Sequence, residues 1–186
     1  MELVPALGLG WLNGWIPLCL FYSVFGILIL TFPKDVIARL YDRSGWSRKQ
    51  RTVSLIGKLL VLVSLGLIIF TPLKVGDVVF IVGSILFAIG LTGFVVALLN
   101  FKNTPMNQPA TRGLYKISRN PQIVAGSVLF LGICVAIGSW AAMFVVVVVP
   151  FFTHSRVLAE EGSCLQQYGD LYRDYVKRVP RYFLFF

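Results

Sequence analysis

The sequence predicts an all-α integral membrane protein with about five transmembrane helices, a C-terminal helical hairpin and an amphipathic cytoplasmic tail helix. Three observations carry that prediction. Hydrophobic residues make up 57% of the 186 residues and charged ones only 13%, with a mean hydropathy of +0.80, a make-up foreign to soluble domains. The apolar residues collect into blocks long enough to cross a bilayer core, which takes roughly 20 residues. The 17 Lys and Arg residues fall mainly between those blocks. A net charge of +9 therefore reads as membrane topology and lipid-headgroup contact, and nucleic acid is not an expected partner. Cys19, Cys134 and Cys164 stand far apart, without disulfide or metal-ligand spacing. With His154 as the single histidine, no His-based metal site is expected.

The first block runs from about Leu7 to Phe32, with Trp11 and Trp15 as interface anchors and Pro17 as a kink through its missing backbone donor. Met1 to Ala6 has no positive stretch, so a retained first helix is expected rather than a cleaved signal peptide. Lys34 to Arg51 sets six basic residues against Asp35 and Asp42. It reads as a solvated topogenic loop, with contact to an anionic lipid or substrate as the sharper alternative. The second block, Val53 to Pro72, contains Lys58, close enough to the basic flank to snorkel to the headgroups.

Thr71 to Asp77 is a tight turn before the third block, Val78 to Phe101, where Gly83, Ser84, Ala88, Gly90 and Gly93 permit close helix packing. Asn100 closes that block on the side of the first basic loop. After a polar loop from Lys102, Asn120 is placed as N-cap and Pro121 at the first position of a fourth helix, where its missing N–H costs nothing. That helix runs to about Gly138 to Trp140, and a return helix from Ala141 to Phe152 meets Pro150 near its exit.

Loops one and three and the tail carry 6, 4 and 5 basic residues, so fifteen of the 17 lie on one face. The positive-inside rule makes that face cytoplasmic, with the N-terminus outside and the C-terminus inside. In the tail, Leu158, Leu165, Tyr168, Tyr172, Tyr175, Val176 and Val179 share a helical face, and Gly169 followed by Asp170 predicts a bend between two helices. The tyrosines read as a packing stripe against the membrane or the core, and His154 as an interfacial polar residue. The chain is thus one membrane domain, 1–186, with three helices in 1–100 and the hairpin and tail in 101–186. Since a hairpin returns to the side it left, Arg119, Asn120, Arg156, Glu160 and Glu161 are expected together at one membrane surface.

These same residues form an ordered pair of motifs. Gly113-Leu-Tyr115, Arg119-Asn-Pro121, Arg156, Glu160-Glu161, Tyr168-Gly-Asp-Leu-Tyr172, Tyr175 and Arg178-Val-Pro-Arg181 resemble the isoprenylcysteine carboxyl methyltransferases and their relatives, the phospholipid N-methyltransferases. The resemblance covers roughly residues 100 to 182. Asn120 stands where the family usually has histidine, Ile123 where it has tyrosine and Ala125 where it has glycine, and an Asn-Pro pair also occurs in phospholipid methyltransferases. The resemblance implies S-adenosylmethionine as cofactor, no metal, and a lipophilic acceptor, a membrane lipid or a prenylated small molecule or protein, entering from the bilayer. By position it assigns Tyr115, Asn120, Pro121, Gln122, Ile123 and Glu160 to the cofactor and Arg156 to the acceptor's polar end. Asn100 and Asn107 match cofactor-side positions.

The chemistry of the residues agrees with these roles. Glu160 or Glu161 can pair the cofactor's ammonium, and the N–H groups opening the fourth helix can receive its carboxylate. Arg156 or Arg119 can orient a carboxylate acceptor, which needs no base. An amine acceptor must lose a proton, for which Glu161 is the candidate base. A prenylcysteine-like carboxylate is the first reading of the acceptor and a phospholipid amine the second. A non-catalytic membrane binding or scaffold protein of the same fold is the reading from another class. A sterol reductase relative fits poorly, because the chain is short and has few spans.

Overall fold

The computed structural model describes residues 1–42 and 47–183. Arg43 of the first basic segment lies outside the described residues. Among these the protein is all helical: α1 (Trp15–Thr31), α2 (Lys34–Leu40), α3 (Arg48–Phe70), α4 (Val78–Lys102), a single 3-10 turn (Gly113–Lys116), α5 (Pro121–Ala136), α6 (Trp140–Tyr168) and α7 (Asp170–Arg178). Segments Gln50–Phe70, Val78–Lys102 and Trp140–Tyr168 are each long and apolar enough to cross a membrane. α1 and α5 are apolar but only 17 and 16 residues long. At about 1.5 Å per residue they reach roughly 25 Å, short of a hydrocarbon core of about 30 Å.

The first apolar block is not one long helix. Residues 1–14 form an extended strap across one end of the bundle, tied to the turns that follow α3 and α5. Gly8 N–H donates to Phe70 O at 2.8 Å, Leu73 N–H to Leu12 O at 2.8 Å, and Trp140 N–H to Glu2 O at 3.0 Å. Asn13, fully buried, donates through Nδ2 to Gly8 O at 2.6 Å and Ile69 O at 3.3 Å. The strap wins over helix because backbone groups of two interhelical turns offer it partners that water would otherwise supply. Pro17 consequently falls in the first turn of α1, where no intrahelical N–H is lost, and the expected kink does not arise.

The first basic segment is likewise more than a loop. Pro33 precedes α2, whose Val36 is buried against Phe32 and Leu98. α3 then starts ahead of its apolar block, because Ser47 and Gln50 form a reciprocal capping box over its charged first turn.

α5 packs chiefly on α4, and α6 chiefly on α3, so the arms of the expected α5–α6 hairpin find their main partners elsewhere. Glycines explain the α4–α5 seam. A Cβ at Gly90 would fall on the backbone of Leu129, and one at Gly132 would fall on Phe87 and the Gly83 carbonyl. Only missing side chains let the backbones approach so closely. Leu18, Phe21, Ile68, Leu129, Ile133, Ile137, Ala142 and Val146 build the main core around this seam.

α6 runs unbroken through Pro150 to Tyr168 over 29 residues, where the sequence suggested a helix ending near Phe152. Proline removes one donor, toward residue 146, and flanking turns packed on α3 hold the helix through the gap. At about 1.5 Å per residue the helix is roughly 43 Å long, so its last turns project beyond the apolar part and carry Arg156, Glu160 and Glu161 with them. Gly169, with φ 55°, ends it and turns the chain into α7.

Candidate functional site

At the end of the bundle opposite the strap, the ends of α2, α4, α5 and α6 meet α7 around a polar cleft of about 180 Å³. Its centre is a charged clasp. Arg119 is buried, its side chain 3% exposed, and its Nη1 lies 3.4 Å from Glu161 Oε2. Arg181 donates from Nε to both Glu161 oxygens at 3.1 Å and from Nη2 to Oε2 at 2.9 Å. The chain around Arg181 is also held: Arg119 N–H donates to Pro180 O at 2.9 Å, while Ser118 Oγ and Asn120 Nδ2 each donate to Arg181 O at 3.2 Å. His154 Nδ1 and the Tyr182 hydroxyl stand 3.2 Å apart. The C-terminal segment thus straps the start of α5 to α6.

Arg156 and Glu160, one helical turn apart, pair at 2.7 Å from Nε to Oε1 on the cleft wall. Tyr115 is buried in the 3-10 turn, and its hydroxyl accepts from Gln122 Nε2 at 3.1 Å. The Tyr175 hydroxyl donates to Tyr115 O at 2.7 Å. Burial holds the hydroxyls of Tyr115, Tyr172 and Tyr175 well above the usual tyrosine range, so these walls stay neutral at working pH. Among the described residues Arg119 Nε is buried without a partner beside the N-terminus of α5, which combines an unspent donor with the positive end of a helix.

A second cavity of about 170 Å³, nearly all apolar, adjoins the cleft. Each of three helices presents it a stripe at one-turn spacing: Val61, Ser64 and Leu65 from α3, Gly126, Ser127 and Phe130 from α5, and Val146, Val149, Pro150 and Thr153 from α6. Ile123 lines both cavities. On α6 the stripe continues from Thr153 to Arg156 and Glu160 in the cleft, so one helix face passes from apolar chamber to polar cleft.

Of the residues the sequence singled out, Tyr115, Arg119, Asn120, Gln122, Ile123, Arg156, Glu160 and Glu161 line the cleft together. Pro121 is buried at the first position of α5 and does not line it. Asn120 holds the N-cap position but makes no side-chain capping bond; its Nδ2 donates instead to Arg181 O. Asn107 is exposed in the loop after α4. Asn100 lies under Gly113, where any Cβ would strike its side chain, and its Nδ2 is buried without a partner among the described residues.

Sequence reasoning missed Arg39, which lines the cleft from α2. A helical spacing of Val36 and Leu40 was the available sign that this segment docks. Tyr168, Tyr172 and Tyr175 line the cleft as well; their stripe was legible, but not the surface it faces.

A family model described as phospholipid methyltransferase matches residues 75–170, a span that holds α4, the 3-10 turn, α5 and the whole of α6. No curated protein and no solved structure matches the chain.

Proposed function

Since the chain belongs to the phospholipid methyltransferase family, we propose that it transfers a methyl group from S-adenosylmethionine to the amine headgroup of a membrane phospholipid. The observation that carries this reading is the shared wall at Ile123: a charged, tyrosine-lined cleft adjoins an apolar chamber set between α3, α5 and α6. A headgroup and its hydrocarbon chain need those two environments side by side.

The residues fit the cofactor. Arg119 Nε, buried and unpartnered at the positive end of α5, suits the carboxylate of its amino acid part. Glu160, which also lines the cleft, suits the ammonium, and the rings of Tyr115, Tyr172 and Tyr175 suit a sulfonium cation. When bound, S-adenosylmethionine supplies a methyl group that the acceptor's lone pair takes as the carbon–sulfur pair returns to sulfur. Arg156 holds the acceptor phosphate by charge-assisted hydrogen bonds. The chamber residues hold one chain segment and so fix the headgroup's position, which supplies alignment. The acceptor ammonium gives its proton to water at the open mouth of the cleft before attack. Glu161, with both oxygens engaged by Arg181, serves as the clasp of the C-terminal strap rather than as that base.

A prenylcysteine-like carboxylate is the second reading, favoured by the Arg156 guanidinium one turn above Thr153 at the chamber's mouth. The pH profile separates the two: transfer to an amine rises with pH, transfer to a carboxylate stays flat near neutrality. We further propose five spans with the cleft cytoplasmic, supported by the charge bias of the loops. α1 and α5, being short, then cross where the bilayer thins locally.

Calorimetric titration with S-adenosylhomocysteine tests the reading. Saturable binding by the detergent-purified protein, weakened in Glu160→Gln, is expected, followed by methyl transfer to an ethanolamine phospholipid in mixed micelles. Absence of binding by folded protein would refute it and favour a non-catalytic binding protein of the same fold.

A further inference from the structure

Building on the reading of the cleft as the cofactor site, we propose that Arg39 is a positioning residue that clamps residues 103–112 as the roof of that cleft. The guanidinium donates to Gln108 O at 2.8 Å and to Pro105 O at 3.3 Å. It lies over the Phe101 ring at 4.9 Å and beside the Tyr168 ring at 5.8 Å. One planar side chain therefore ties together the end of α4, the loop after it and the end of α6. Only arginine combines a flat cation that stacks on rings with a fork of donors that reaches two carbonyls.

Among the described residues, the other ties of the roof lie at its two ends, where Asn103 N–H and Thr104 N–H donate to Leu99 O and Phe101 O and Arg112 O accepts from Tyr115 N–H, and in three bonds between. Thr104 Oγ1 donates to Asn100 O at 2.9 Å, Gln108 N–H closes a turn on Pro105 O at 3.1 Å, and the Tyr168 hydroxyl reaches Met106 O at 3.4 Å. Beyond these, Pro109 is buried and, with Ala110, lines the cleft. The clamp is anchored at its own end because Val36 of α2 is buried against Phe32 and Leu98. Arg39 lines the cleft too, so its position sets both the height of the roof and the charge beneath it. The cofactor's affinity then depends on a side chain outside the segment the family model matches.

The test compares wild type with Arg39→Lys, which keeps the charge but not the fork, and Arg39→Met, each shown by elution and thermal melting to be folded. S-adenosylhomocysteine affinity is read by calorimetry, and roof exposure by tryptic cleavage at Lys102 and Arg112. Both variants are expected to bind roughly tenfold more weakly, the loss that goes with removing hydrogen bonds from a charged donor. Both are also expected to be cut faster than wild type. Wild-type affinity in both variants overturns the proposal, whatever the digestion rate. Wild-type digestion rates overturn the clamp even if affinity falls. Should the wild type itself bind no S-adenosylhomocysteine, the reading of the cleft fails and takes the cofactor role of Arg39 with it, while digestion still decides whether Arg39 holds the roof.

Discussion

Glu161→Gln separates a clasp from a catalytic base. In the native protein Glu161 is 13% exposed at its side chain and meets Arg119, 3% exposed, and Arg181, 22% exposed. Replacing the carboxylate with an amide leaves two guanidinium groups facing a neutral group, one of them with Nε already unpartnered. Breaking a buried ion pair from one side costs about 3–5 kcal/mol. The 3.4 Å separation from Arg119 and the partial exposure of Arg181 argue for the lower end, about 3 kcal/mol. For a chain of this size each kcal/mol lowers the melting temperature by about 2–4 °C, so a drop of roughly 6–12 °C is expected. Thermal unfolding in detergent measures it, with Arg181→Met as companion. That variant removes a partly exposed cation and leaves Glu161 its pair with Arg119, so its drop is expected to be smaller. A Glu161→Gln melting temperature equal to wild type would refute the clasp and return Glu161 to the role of a solvated base.

Three further outcomes follow from the packing and the charges. Gly90→Val forces a side chain onto the Leu129 backbone and is expected to cost more than about 3 kcal/mol, the upper range for overpacking, seen as loss of the monodisperse folded peak. Ser127→Phe fills the apolar chamber; S-adenosylhomocysteine affinity is expected to hold, while transfer to a long-chain acceptor falls roughly tenfold or more relative to a short-chain analogue. The Glu2 carboxyl is held below its usual value of 4.5 by its hydrogen bond and charge pairing with Lys74. That tie is complete above 4.5 and is lost as pH falls through the depressed value, so protection of the strap amides, taken relative to their intrinsic exchange rate at each pH, is expected to fall there in wild type but not in Glu2→Gln.

Several elements were legible because their cause is local. Asn120-Pro121 opens α5, Gly169 ends α6 with a positive φ, and the glycines of α4 mark a close seam, as their residue types require. The strap at residues 1–14 was not legible, because its hydrogen bonds are made with turns after α3 and α5, and an apolar stretch alone does not say whether its backbone bonds to itself. Pro150 misled in the same way: the lost donor is local, but the packing that carries α6 past it comes from α3.

For the site, the ordered motifs and the hairpin logic brought Arg119, Asn120, Arg156, Glu160 and Glu161 to one place, and all of them line the cleft. Their pairing was beyond reach. Arg156 takes Glu160 within its own helix, while Glu161, the next residue, turns to Arg119 and to Arg181. Arg39 stayed hidden because its partners, Pro105 and Gln108, are 66 and 69 residues away.

Composition and period determined by themselves that this chain is helical and made for a membrane, since an apolar environment obliges each segment to satisfy its own backbone. The order of the motifs identified the chemistry-bearing half. Only the tertiary structure decided which carboxylate pairs within its own helix and which joins the start of α5 to the C-terminal segment, that Arg39 of α2 meets the loop after α4, and that an apolar chamber adjoins the charged cleft at Ile123. Such facts depend on distances between helices distant in sequence, and those are set by side-chain volumes packed together, which no single segment contains.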